Sequence, residues 1–497
     1  MAKSISTPGV YITEKNAFPN SIVPIETAAP AFVGYTEKAV LNKQSVPNVP
    51  VKISSLAEYQ AYFGGGPKIL FQLESDPKTV FKCSVAGVRF FLYNCLQLYF
   101  ANGGAACYIV SVGNFADVTR PAPADFFGGI DALRNEQEPT LLICPDTVGL
   151  ADANASAEVH RKMLDHCAEM QSRFAILDIW GGFQKRTLDS NDVISTFRTG
   201  IQNNLNWGAA YYPWVNTNIT GTDEVDFTNM AKNSRPVLAE LLLAELQQSV
   251  KSGQLRDQQK FVAIQNAVKS IATTTDPDKV KQLHQTLQAV SLLYKNILKG
   301  ILQEINLLPP GAGMAGIYCM MDQSQGVFKA PANVSMASVI SPAVQVSSAE
   351  QEDLNAPLDG KSVCAIRTFV GQGVLVWGAR TLDGNSQDWR YINVRRTMIF
   401  IEQSIKIAIQ AYVFEPNDAN TWAAVKSMTE NFLTNFWKEG GLAGAKPEDA
   451  FSVQIGLGST MTAQDILDGY MRVTVLVAVS RPAEFLVITL EQQMQQS

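Results

Sequence analysis

Three histidines, His160, His166 and His284, stand in a chain of 497 residues. The patterns H-E-x-x-H, C-x-x-C and G-x-S-x-G do not occur. The paired zinc ligands, paired thiolates and strained serine turn that those spacings supply are therefore not to be expected. His166 and Cys167 are sequence neighbours on a stretch that reads as helix. Their side chains then diverge by about 100° around the axis, a poor arrangement for a nucleophile and its base. Gly311-Ala-Gly-Met-Ala-Gly316 has the glycine spacing of a dinucleotide-binding turn. That chemistry needs a strand before the glycines, a helix after them and an acidic residue about 20 positions on. Here Pro309-Pro310 precedes, no clear helix is expected to follow and no acidic residue lies near position 331, so the segment reads as a turn. Gly64-Gly-Gly-Pro67-Lys68 lacks the Lys-Ser/Thr of a phosphate loop, and Pro67 removes an amide that could face an anion. Asp152-x-Asn154-x-Ser156 has the start of a calcium loop without its glycine at loop position 6. Asp146 and Asp178, near the ends of predicted strands, are the nearest carboxylates for an enzyme of α/β type. The reading is of no catalytic set, no cofactor and no metal.

The composition excludes other classes. Hydrophobic residues make up 46% and charged residues 17%, enough apolar material for sizeable cores. Forty basic against 46 acidic side chains give −6, so nothing global drives the chain toward nucleic acid or anionic lipid. The most apolar stretch, 81–101, carries Lys82, Arg89, Asn94 and Gln97 and is too interrupted to span a bilayer. The opening residues lack the apolar core of a secretory leader. Seven cysteines, an odd number at wide spacing, read as buried reduced thiols of a protein made in a reducing cytoplasm.

The elements that would carry these residues alternate between about 85 and 215. Apolar strand runs at 107–112, 140–144, 174–179 and 209–214 are separated by helical stretches at 88–101, 157–171 and 192–205. Apolar on both faces and spaced by helices, they predict a parallel sheet covered on both sides, a doubly wound α/β domain. Residues 235–301 read as a three-helix insertion. Asp276-Pro277 caps its last helix, and Val280, Leu283, Leu287, Val290, Tyr294, Ile297 and Ile301 make one apolar stripe along it. Core packing and a partner-binding face both fit that stripe. In the last third, helices are expected from about Met398 to Tyr412, from Asn417-Asp418 to Gly440-Gly441, and after Thr462. Residues 471–480 follow as a strand buried on both faces.

Both ends invite a different kind of chemistry. Prolines 8, 19, 24 and 30 keep the first 40 residues extended. Pro482 separates strand 471–480 from a last apolar strand, 484–490. An apolar terminal strand pairs with whatever edge it meets. Either both ends fold back, or both are donated to a neighbouring copy, where main-chain hydrogen bonds supply affinity.

Several segments together resemble contractile tail sheath proteins of phage tails, pyocin-like particles and extracellular contractile injection systems. They are Thr7-Pro-Gly-Val-Tyr-Ile-Thr-Glu14, Ile25-Glu-Thr-Ala-Ala-Pro-Ala-Phe-Val-Gly-Tyr-Thr-Glu-Lys38, Gly316-Ile-Tyr with Asp322-Gln and Gly326-Val-Phe-Lys-Ala-Pro331, Ala365-Ile-Arg-Thr-Phe369, Val376-Trp-Gly-Ala-Arg-Thr381, Ile392-Asn-Val-Arg-Arg396, Val413-Phe-Glu-Pro-Asn-Asp418 and Arg481-Pro-Ala-Glu-Phe485. The resemblance implies a multi-domain α/β sheath subunit with an α+β inner assembly domain built from both chain ends. The expected parts are an arm and start of the inner domain (1–40), a middle α/β domain (41–234), a helical insertion (235–305), a return of the middle domain (306–345), the inner domain (346–480) and a C-terminal arm (481–497). It also implies hexameric rings stacked around an inner tube, with baseplate and cap proteins, and for some systems a second sheath paralogue, as partners. Neither nucleic acid nor membrane insertion is implied. The particle would assemble in a bacterial cytoplasm and act as a phage tail or a released tail-like machine.

Val10, Tyr11, Ile12, Phe485, Leu486, Val487 and Ile488 are the expected donated strands. Val473, Val475 and Val477 are the accepting sheet. Pro19, Pro24, Arg481 and Pro482 are arm hinges. Arg395, Arg396 and Lys426 are candidate partner contacts, and 420–438 or 463–470 a candidate tube face. The alternatives are a non-contractile, capsid-like scaffold without two length states, and a nucleotide-dependent α/β enzyme with the helical insertion as its lid.

Overall fold

The structure, a computed structural model, describes residues 22–76, 79–187, 189, 191–251 and 257–485. Contacts divide these into two units. One comprises 26–396 with 481–485; the other comprises 22–25 with 397–480.

The larger unit is built on a nine-stranded sheet. In spatial order its strands are Val334–Ser335, Gly373–Trp377, Cys364–Phe369, Gly208–Tyr212, Phe174–Asp178, Leu141–Ile143, Pro30–Thr36, Cys107–Asn114 and Val51–Ile53. The pairings from Cys364–Phe369 through Cys107–Asn114 are parallel, and antiparallel strands close both edges. Strands buried on both faces are what the apolar runs at 107–112, 140–144, 174–179 and 209–214 require. Phe32 and Val33 show the two layers. The Phe32 ring meets Tyr99 of helix Leu92–Ala101 at 5.1 Å. Val33 faces the other way, toward Gly129 of helix Pro123–Ala132, where any Cβ would come within 2.9 Å of it.

Three expectations change here. Pro30–Thr36 is wholly buried between Leu141–Ile143 and Cys107–Asn114, so the segment read as the end of an arm and the start of an inner domain is a central strand of the larger unit. Cys364–Phe369 and Gly373–Trp377 also join this sheet, so the smaller unit begins at Thr397 and not at 346. The glycine-spaced segment read as a turn is helix Gly311–Gln325. Its glycines permit close approach: a Cβ on Gly316 would lie 2.5 Å from the Tyr99 carbonyl oxygen. Pro310 stands at its N-cap, a place where proline costs the helix nothing.

The insertion has four helices among the described residues, Arg235–Lys251, Gln258–Ser270, Pro277–Val290 and Leu292–Ile305. The single long stripe is broken at Ser291, whose extended backbone (φ −122°) ends one helix while its hydroxyl accepts from Tyr294 N–H to cap the next. Glu245 holds the break by accepting from Ser291 Oγ–H and Leu293 N–H. Leu283, Leu287, Tyr294, Ile297 and Ile301 pack with Leu238 and Leu242 against Phe71 and Leu73 of the hairpin Phe71–Asp76 and Val80–Val85. The stripe is therefore core apart from Val290, which is 45% exposed.

In the smaller unit, helix Ala419–Lys438 is capped by the Asp418 carboxylate, which accepts from Asn420 and Thr421 N–H. It buries Val425, Met428, Phe432, Leu433 and Phe436, with Phe400 against the last two rings. Thr462 and Asp465 form the expected capping box of Ala463–Leu467. Strand Thr474–Val477 pairs antiparallel with Phe451–Gln454. It is not buried on both faces: its side chains alternate between exposed and half-buried, and Leu476 is 58% exposed.

Candidate assembly surface

The carboxylates at the strand ends serve the backbone. Asp146 accepts hydrogen bonds from Tyr35, Phe91 and Leu92 N–H, tying the central strand to the start of helix Leu92–Ala101. Burial still outweighs these donors and lifts its carboxyl to about 6. Asp178 accepts from Gly311 N–H at 2.7 Å at the start of helix Gly311–Gln325, and burial lifts it to about 7. Burial lowers His160 to about 3, so its imidazole is neutral. Burial and the Arg173 charge together hold His166 at about 4, with Arg173 Nη1 2.6 Å from its Nε2. Cys167 is pushed up to about 12 by burial and is a poor nucleophile. Asp152 caps helix Ala153–Met170 through Ala155 N–H, and Gly64 ends helix Leu56–Phe63. All seven thiols are free; six are buried and Cys83 is intermediate. Among the described residues no group of three His, Cys, Asp or Glu could hold a metal, and no helix is long and apolar enough to cross a membrane.

Two of the three candidate partner contacts turn inward. Arg396 pairs bidentately with Asp322 at 3.0 and 2.5 Å, both side chains being 3% exposed, and its guanidinium lies over the Tyr318 ring. Arg395 is buried between the rings of Trp207 and Trp389, 4.2 and 4.3 Å from their centroids. A dense basic cluster in sequence is thus internal pairing and stacking, which is arginine's use where planar contacts are available. Lys426 is exposed, 3.8 Å from Glu430 one turn on.

The expected accepting strand lies in a two-stranded hairpin of the smaller unit. In an antiparallel pair, successive residues point their peptide groups to opposite edges. Ala478 N–H donates to Ala450 O, Ala478 O accepts from Ala443 N–H, and Ser480 N–H donates to Gly441 O. Even-numbered residues of 474–480 therefore turn their peptide groups toward 441–454. Those of Val475, Val477 and Val479 turn to the opposite edge, where no strand pairs among the described residues. The same parity leaves the outer edge of Phe451–Gln454 open. Val473, Val475 and Val477 are half-buried on one face. Two open edges with apolar side chains are what strand addition needs.

Of the expected arm and hinge residues, Pro24, Arg481, Pro482 and Phe485 are described. Pro24 and Arg481 are exposed, Pro482 is half-buried, and Phe485 is 72% exposed. Val10, Tyr11, Ile12, Pro19, Leu486, Val487 and Ile488 lie outside the described residues. What the sequence reading missed is Glu484. It lies in the larger unit and is bound by Arg380, Asn355 and Tyr391. A lone acidic residue after proline gives no periodic signal from which such a site could be found.

Comparison with known proteins adds to this geometry. Residues 385–493 match the phage tail sheath C-terminal domain. The tail sheath protein of Vibrio phage KVP40 is 34% identical over 74 residues, 15% of this chain and only 11% of that protein. Over nearly its whole length the chain is similar to two solved assemblies. The sheath complex of an extracellular contractile injection system, PVC, in its contracted state is 26% identical, covering 99% of each chain with a TM-score of 0.60. The helical sheath of the anti-feeding prophage, also contracted, is 26% identical, covering 99% of this chain and 100% of that one with a TM-score of 0.61.

Proposed function

We propose that the chain is a contractile tail sheath protein, a structural subunit that polymerises as stacked hexameric rings around an inner tube. Contraction of the polymer drives the tube through a target envelope. Its work is mechanical, with no substrate turned over. The tube, a baseplate and a terminal cap are its partners, and the particle assembles in a bacterial cytoplasm before acting as a phage tail or a released injection machine.

The observation that supports this most is the open-edged hairpin Phe451–Gln454 with Thr474–Val477, inside the stretch that matches the sheath domain. Strands 8–14 and 484–490 of neighbouring copies are the proposed additions to it. Each net hydrogen bond is worth about 0.5–1.5 kcal/mol, so a short ladder with buried apolar side chains holds subunits while connecting dihedrals change. Extended and contracted lattices are then two packings of the same linked subunits, and contraction is a shift toward the better packed one. Truncation after Ser480 tests this. The reading expects loss of long, contraction-competent sheaths on the inner tube, and sheaths of ordinary length from the truncated chain would refute it.

A further inference from the structure

We infer that Glu484 is the anchor that fixes where the C-terminal segment leaves the subunit, a positioning residue for strand donation that acts through Arg380. The inference rests on the strand-donation reading above and adds a site to it. Its geometry lies wholly within the larger unit. Glu484 Oε1 accepts from Asn355 Nδ2 at 2.7 Å and Arg380 Nε at 3.0 Å. Oε2 accepts from Arg380 Nη2 at 2.7 Å and Tyr391 O–H at 3.1 Å. The Arg380 side chain is 6% exposed and its remaining nitrogen is already placed, donating to Asn355 O at 3.1 Å and Gly384 O at 3.4 Å.

Asn355, Arg380 and Tyr391 together form a socket for the carboxylate. A forked carboxylate pair is the geometry that compensates a buried guanidinium best. Here the anion does not come from the strands and loops that hold Arg380. It comes from a residue four positions beyond Ser480, whose own N–H is bonded to Gly441 in the smaller unit. Neutralising Arg380 is thereby coupled to docking the chain at 484. The neighbours are not held in this way: Arg481 and Ala483 are exposed, Arg481 reaches Asp388 only at 3.9 Å, and Phe485 is 72% exposed. The anchor confines the hinge to 481–483 and sets the starting point of whatever follows Phe485.

The test compares Glu484→Gln, the double variant Arg380→Gln/Glu484→Gln and truncation after Ser480, each polymerised with the inner tube protein and each melted as the unpolymerised subunit. The double variant leaves no buried unpaired charge, so it decides the matter where Glu484→Gln alone fails to fold. The anchor predicts at least a tenfold fall in sheath yield for the double variant, with a melting temperature within a few degrees of wild type. Wild-type yield from the double variant, with the truncation inactive, overturns the anchor and leaves strand donation standing. Wild-type yield from the truncation overturns both.

Discussion

At the scale of the residue, Asp178 keeps its carboxyl in surroundings that favour the proton, and its pKa of about 7 makes that a statement about stability. A carboxyl whose folded pKa is raised contributes stability below its unfolded value, near 4, and loses it as pH rises to the folded value. The window is therefore about pH 4–7, and the loss from this group is at most about 4 kcal/mol. Asp178→Asn, which cannot ionise, should gain stability relative to wild type across that window and no further above it. Denaturant unfolding at several pH values measures the margin, and parallel profiles would count against the assignment. Asp322 and Arg396 obey a different rule. Both are 3% exposed, so removing one leaves a buried charge without its partner. Asp322→Ala should cost about 3–5 kcal/mol, while Asp322→Leu/Arg396→Met, which removes both charges, should recover most of it. Equal losses in the single and double variants would contradict the pairing.

At the scale of the element, the hairpin edge separates folding from assembly. Val475 turns its N–H to the open edge and Leu476 turns its own inward to Ser452. Val475→Pro removes a donor that the hairpin does not use, so it should leave the subunit's unfolding within about 1 kcal/mol of wild type and abolish polymerisation. Leu476→Pro should destabilise the subunit itself. Thermal melts paired with electron microscopy check this, and an undisturbed polymer from Val475→Pro would contradict edge pairing. The same scale shows why some elements were legible in the sequence. Strands apolar on both faces announced the parallel sheet, and Asp276, Asp418 and Thr462 announced their helices through capping chemistry. Pro30–Thr36 was hidden among prolines that made its surroundings look like an arm, although an edge-free central position buries every one of its side chains. Ser291 breaks a stripe without changing its period, because a kinked pair of helices can present one apolar face as well as a single helix does. Gly311–Gln325 has three glycines, which propensity disfavours and close packing requires: Gly311 against Asp178, Gly313 against Met336 and Leu98, and Gly316 against the Tyr99 carbonyl.

At the scale of the molecule, most of the described chain belongs to the unit built on the nine-stranded sheet, and the smaller unit carries a two-stranded hairpin whose outer edges pair with no strand among the described residues. The segments that resemble sheath proteins are tied to one another inside the fold: Asp322 binds Arg396, and Arg380 binds Glu484. Those contacts were not legible in the sequence, because the partners stand 74 and 104 positions apart with no local pattern to join them. The same distance explains why Arg395 and Arg396, a surface-like cluster when read in line, belong to the interior. The proposed mechanism rests on the hairpin edges that pair with no strand among the described residues. A helical reconstruction of the polymer formed with its inner tube tests it most directly. The account predicts a hollow helical cylinder in which a strand from an adjacent copy lies hydrogen-bonded along the Val475 and Val477 edge. A cylinder whose subunits leave that edge bare, or fill it from their own chain, would contradict it.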